Sequence, residues 1–474
     1  MPTPTGSALV PNSMPHFYKA PIDNLPYDVI REIFIHCVST DPFREPRATL
    51  EPMLLTQICS SWRSIALESP TLWTHLYFCL TIAKIQMDGA EIIPKRQIDL
   101  LRWWKGNHNS LMPHLSLETQ FRQYEETQEY LQVEESLDFI LAYIASAQYI
   151  SMERFYWIQI EKRMDCGDKI TFPHLHTVVD NPGINYRWNP SLALVDRITK
   201  QCHSSLRYLS LSIHYFPAIP SQWAFLTHIS LQEMQLSPTR WFTLICSFPK
   251  LHWGNFHIEA PFGMVDNIDT SRCTLPELAD IFITFDDRDN DSFRISFIFA
   301  NLYLPSLRTL SIYALTKSWK DIRSVAELRT ILKSTPAITT LILGPGFLSL
   351  HQPHRIEMIH SMNDVEPIWD IATQLIHLQL EINIFSYGMR YTPKETLDIF
   401  MKKAFLSNTG WLPLKNPMCP IQKISIVGGG LLNKPLDYAL ASLSELSGEI
   451  PTIRFEFTSN STRRNADEAW KYWH

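Results

Sequence analysis

Charge is scarce in this chain of 474 residues: 19% of its positions are Asp, Glu, Lys or Arg, where an ordinary soluble domain has about 25%. The charges sum to −6, which argues against a general polyanion-binding surface and so against nucleic acid as a partner. Long apolar runs are missing as well. The apolar stretch at residues 139–152 contains polar positions and falls short of the ~20 apolar residues that cross a bilayer, so no membrane partner is expected. Paired cysteines are also missing. Cys37, Cys59, Cys79, Cys166, Cys202, Cys246, Cys273 and Cys419 include no CxxC and no dense framework, and they read as reduced thiols, mostly buried, in an intracellular protein of the cytoplasm or nucleus. The opening MPTPTGSALVPNSMPHFYKAP has no basic region followed by an apolar run. It reads as a disordered lead-in over residues 1–22, not as a secretory signal.

Signatures of metal sites and catalysis are equally thin. His174 and His176 in HLH, and His351 and His354 in HQPH with Glu357 nearby, have no HExxH or CxxC beside them, so they read as ordinary core or surface histidines. Asp287, Asp289 and Asp291 match the first spacings of a calcium loop, but Ser292 stands where that loop needs Gly and Ile298 where it needs Glu. Gly428 to Gly430 lack the Lys-Ser/Thr of a phosphate loop and read as a turn after the strand KISIV. No GxSxG elbow is present. The sequon at Asn460 has no consequence without a secretory route. The expectation is a chain with no catalytic residues, no cofactor and no metal.

What the sequence does contain is internal repetition. A pattern L-x-x-L-x-L recurs from Leu175 onward, clearest at Leu206, Leu209 and Leu211, at Leu226, Ile229 and Leu231, and at Leu307, Leu310 and Ile312. Three further copies are Leu278, Ile281, Ile283, then Ile338, Leu341, Leu343, then Leu375, Leu378, Leu380, with weaker ones beginning at Leu175, Leu251 and Ile421. The first apolar residues step by 31, 20, 25, 27, 29, 31, 37 and 46. Each step offers a short alternating strand and then room for one helix, as in RWFTLICSF or VAELRTILKS. Such units stack into an α/β solenoid with a parallel sheet. DLLRWWKGNHNSLMPHLSLE and SLDFILAYIASAQYISMERFYWIQI each read as a helix followed by a strand, as degenerate first units.

Upstream of the repeats lie two short apolar segments. In LPYDVIREIFIHC, Ile30, Ile33 and Phe34 make a helical stripe, Pro26 suits the first turn and Asp28 suits the positive end of the dipole. In ICSSWRSIALESPTLW a helix would align Ile58, Trp62 and Ile65 and continue through Cys59 and Ala66. Two helices this short want more burial than they give each other.

Residues 24–78 resemble an F-box. LPYDVIREIF matches its Leu-Pro start and amphipathic helix, ICSSWRSIA its Val/Ile-Cys-x-x-Trp-Arg helix, and SPTLW its closing segment. PMLLTQICSSWRSIALESPTLW is most similar to a large fungal group in which irregular leucine-rich repeats follow the F-box. Two departures stand out: the loop over 39–51 is longer than in animal F-boxes, and Asn383 alone supplies the Asn or Cys that usually closes a repeat strand. The second favours an irregular solenoid. The resemblance implies that the surplus apolar surface docks on a Skp-family adaptor, and through it a cullin, in an SCF-type ubiquitin ligase. It implies Leu25, Pro26, Ile30, Ile33, Phe34, Ile58, Cys59, Trp62 and Arg63 as the adaptor-binding set, some of which must instead form the domain's own core. The implied organisation is a disordered segment over 1–22, an F-box domain over 23–80 and a repeat solenoid over 81–474 that binds an unknown protein substrate. The alternative is an F-box and leucine-rich-repeat scaffold working outside a ligase.

Overall fold

The computed structural model of the chain describes residues 21–38, 46–47, 49–84, 91–109, 111–123, 130–181, 192–202, 204–211, 221–259, 272–286, 299–314, 323–344, 372–383, 420–429 and 454–458. Residues 1–20 of the lead-in, the acidic loop after Asp286, His351, His354, Glu357, Cys419 and Asn460 lie outside the described residues.

Three helices come first. α1 (Tyr27–Cys37) follows Pro26, which caps it rather than occupying its first turn. The Pro26 carbonyl accepts from the backbone N–H of Val29 and of Ile30, at 3.0 and 3.1 Å. Ile30 and Phe34, one turn apart, are buried. α2 (Leu55–Ile58) and α3 (Ser60–Leu67) are separated by Cys59, which is extended (φ −156°, ψ 172°) and whose Sγ accepts the Trp62 N–H at 3.4 Å. A residue that caps α3 cannot also continue α2. The stripe anticipated from Ile58 to Ile65 is therefore broken, with Ile58 on one helix and Trp62 and Ile65 on the next.

The remaining chain alternates strands and helices. The strands are β1 (His75–Lys84), β2 (Glu91–Pro94), β3 (His114–Gln123), β4 (Tyr130–Gln132), β5 (Tyr149–Glu153), β6 (Thr177–Asn181), β7 (Tyr208–Ser210), β8 (His228–Leu236), β9 (Trp253–Glu259), β10 (Cys273–Thr274), β11 (Asp280–Asp286), β12 (Leu302–Tyr303), β13 (Thr309–Ala314), β14 (Thr340–Leu343), β15 (His377–Asn383), β16 (Lys423–Gly429) and β17 (Arg454–Thr458). Between them run α4 (Lys95–His108), α5 (Val133–Ala145), α6 (Arg154–Asp165), α7 (Leu192–Gln201), α8 (Pro238–Cys246) and α9 (Arg323–Ser334). Apart from β10 and β12, which pair with each other, the strands form one sheet in the order β17-β16-β15-β14-β13-β11-β9-β8-β7-β6-β5-β3-β1-β2-β4. Pairing is parallel from β1 through β3 to β17, and antiparallel only where β2 and β4 extend the sheet beyond β1. The chain is thus mixed α/β, with a long, mostly parallel sheet.

Two expectations change. Residues 80 and 81 fall in the middle of β1, which pairs with β3 over ten residues, so a division there would cut a strand. Gly428 and Gly429 are not in a turn: they close β16, opposite Ile382 and Asn383 of β15.

Register explains the leucine pattern. Val178, Leu209, Ile229, Gly254, Ile281, Leu310, Leu341, Leu378 and Ile424 lie in one row across β6 to β16. Their side chains, with Leu175, Leu206, Leu226, Leu278, Leu307, Ile338 and Leu375 before them, are buried. Each such aliphatic side chain contributes about 1.5–3 kcal/mol on leaving water. Helices cover this face. Trp241 of α8 meets Phe256 of β9 edge to face, ring centroids 5.9 Å apart. Gly254 is the one gap in the row: a Cβ there would lie 2.5 Å from Cε2 of Phe256. The phenyl ring fills the space that an aliphatic side chain takes in the other strands.

From β7 to β16, the short β10 and β12 apart, each strand also starts from the same backbone joint. The carbonyl of His176 accepts the N–H groups of both Arg207 and Tyr208, at 2.9 and 3.2 Å, and that of Arg207 those of Thr227 and His228, at 2.9 and 3.0 Å. The forked bond recurs at Thr227, His252, Ala279, Arg308, Thr339 and Ile376. It holds the two residues between the first and second leucines of every copy at equivalent places.

Candidate interaction surfaces

Among the nine residues implied for adaptor binding, the fold separates two sets. Ile30 and Phe34 are buried, and Ile33 and Trp62 are half-buried. Phe34 and Trp62 pack with ring centroids 4.8 Å apart, so they belong to the inner contact between α1 and α3. Leu25, Pro26, Ile58, Cys59 and Arg63 are exposed. Arg63 turns back on its own unit, donating from Nε to the Thr56 carbonyl at 2.7 Å. Three residues outside the implied set join the exposed group: Tyr27, Val29 and Leu54. Ile58, at 51% exposure, is the most open of these large apolar side chains. Leu54 joins them because the extended Cys59 sets α2 out of phase with α3.

Trp73 ties this unit to the sheet. Fully buried, it donates from Nε1 to the Ala66 carbonyl at 2.9 Å, and its own carbonyl accepts from Trp104 Nε1 of α4 at 2.7 Å. Trp103 and Trp104 stand edge-on to its ring, with centroids at 5.0 and 5.1 Å. The inner residues of the amino-terminal helices and those of the sheet form one continuous core.

The second surface lies at the strand starts, on the face turned away from the leucines. Rings line up there from strand to strand: His75 with His114 at 4.5 Å, His114 with Tyr149 at 5.8 Å, Tyr208 with His228 at 4.2 Å, His228 with Trp253 at 6.5 Å and Trp253 with Phe282 at 5.7 Å between centroids. Burial lowers the pKa of His75, and of His176 together with the nearby Arg207. His228 is pushed down to about 4, by burial first and then by His252 and His176. These imidazoles are neutral at pH 7.

A groove of about 550 Å³ opens in this row, lined by Tyr208, His228, His252, Trp253, Pro276, Glu277, Ala279, Asp280, Ser306 and Arg308. Its origin is a size mismatch. At the first of the two residues between the leucines, β9 is preceded by His252 and β13 by Arg308, while β11 between them is preceded by Ala279. His252 Nε2 pairs with Glu277 Oε2 at 2.9 Å. Burial raises the Asp280 pKa against a Thr309 hydrogen bond and the Arg308 charge.

No protein-family model matches the chain. No curated protein matches it either. The geometry therefore carries the reading alone. No group of three metal-ligating side chains is found among the described residues, and no described helix is long and apolar enough to cross a membrane. None of the described cysteines is in a disulfide, but contrary to expectation only Cys202 of these is buried, while Cys37, Cys59 and Cys166 are exposed.

Proposed function

We propose that the chain is an F-box-type receptor: its amino-terminal helices dock on a Skp-family adaptor of an SCF-type ubiquitin ligase, and its leucine-rich sheet domain holds a protein target. The observation that supports this reading is the split in the motif helices. Ile30 and Phe34 are buried while Leu25, Tyr27, Val29, Leu54 and Ile58 stay in water. Apolar side chains left exposed on short helices whose inner faces are already filled fit a second protein. The repeat unit suits target binding, since stacked strand-helix units present an extended surface. Transfer chemistry would then belong to other subunits.

The test is co-expression with a Skp adaptor, using the full chain and Ile58→Asp. Because Ile58 is exposed, the substitution should shift the melting temperature little and lower adaptor affinity at least tenfold. Failure of the wild-type chain to retain the adaptor, or equal retention by the variant, would sink the proposal. Co-purification of a cullin with the adaptor complex separates a ligase subunit from a scaffold.

A further inference from the structure

The strand-start groove is a feature that the amino-terminal docking leaves unused, and its chemistry is specific enough to name an occupant. Three facts bear on it. First, its lining includes the rings of Tyr208, His228, His252 and Trp253 and the small apolar Pro276 and Ala279. A volume near 550 Å³ falls within the roughly 300–1,000 Å³ typical of sites that enclose one ligand group. Second, its carboxylates are already engaged: Glu277 with His252, and Asp280 with Thr309 in the field of Arg308. Third, the exposed Arg308 makes no ion pair or side-chain hydrogen bond among the described residues. Arg207, the equivalent residue four strands away, spends one donor on the adjacent Leu206 carbonyl at 2.9 Å and likewise makes no ion pair among them. Strands spaced about 4.8 Å apart put these two arginines roughly 19 Å from each other, the reach of a six-residue extended segment.

We infer that this groove binds an extended peptide segment that seats one apolar side chain over Ala279 and flanks it with acidic side chains facing Arg308 and Arg207. This rests on the receptor reading only in regarding the segment as part of a target protein. Arg suits such a contact because its planar fork matches a carboxylate with two parallel hydrogen bonds. Ala279 sets the depth of the seat, and any larger residue there would close it.

The test is selection from a random nonapeptide phage library on the immobilised full chain, with Ala279→Trp and Arg308→Glu chains selected in parallel. The wild-type chain should enrich sequences with an apolar residue beside Asp or Glu. Ala279→Trp should lose that pool at least tenfold, and Arg308→Glu should shift enrichment toward Lys or Arg at the flanking position. No enrichment, a basic motif on the wild-type chain, or a pool that Ala279→Trp retains would each overturn the inference. Ala279 and Arg308 lie at strand starts, so a wild-type melting temperature for both variants certifies their fold. A chain that selects the acidic peptides and yet ignores Skp refutes the receptor reading while leaving the groove's specificity standing.

Discussion

Replacing Trp73 by Ala should uncouple the amino-terminal helices from the sheet. The side chain is wholly buried, and deleting an indole from such a site costs about 3–5 kcal/mol. Loss of the Nε1 hydrogen bond adds little, because the Ala66 carbonyl still accepts the Ser69 N–H at 3.2 Å. The edge-on contacts with Trp103 and Trp104 put the damage at one joint, so local opening is the quantity to measure. Native-state hydrogen exchange resolves it. At 1.36 kcal/mol per tenfold, amides of residues 60–84 should exchange roughly 150- to 5,000-fold faster, while those of β13 and β14 should hold. Trp73→Phe, which keeps a ring but loses the donor, should show a much smaller effect. If residues 60–84 exchange at the wild-type rate in Trp73→Ala, the joint is elsewhere and the single continuous core is a misreading.

Acid should weaken the fold through His228. Its folded pKa of about 4 lies below the ~6.5 of an unfolded histidine, so its contribution is complete above pH 6.5 and is lost as pH falls toward 4, up to about 3 kcal/mol. His228→Gln should flatten the urea midpoint between pH 7 and 4.5, and an unchanged slope would refute the assignment. His75 and His176, also lowered, act in the same direction. Leu209→Asp should be severely destabilising, since it buries an unpaired carboxylate in the apolar row, whereas Ser210→Ala on the opposite face should cost little; equal losses of melting temperature would contradict the register. A fragment starting at Thr81 should aggregate, because it retains only the last four residues of β1 and discards Trp73; monodisperse elution would show that the helices are separable.

The strands of the repeat region were readable because a two-residue period and a buried face force leucine or isoleucine onto fixed places. β1 and β17 escaped that reading. HLYFCLTIAK carries apolar residues on both faces and reads as a continuation of the preceding helices, while RFEFT is too short to stand out. The break at Cys59 was hidden because a thiol rarely caps a helix, so helical spacing alone predicted one stripe from Ile58 to Ile65. The groove was half visible. Its wall residues are the pairs between leucines, such as Arg207-Tyr208, His252-Trp253 and Arg308-Thr309, but only register sets Ala279 between His252 and Arg308. Lateral neighbours are not a property of any one segment.

The forked backbone joint bears on how this chain tolerates change. The steps from one leucine copy to the next range from 20 to 46 residues, yet β6 to β16 keep one register. One carbonyl gripping two successive N–H groups rezeroes the chain at each strand, so that length gained or lost in a connection is not passed on to the next turn. Insertions can therefore accumulate on the helical side while the row of paired residues on the other side remains evenly spaced. Such a molecule can exchange the identity of these paired residues one turn at a time and leave the spacing between them untouched.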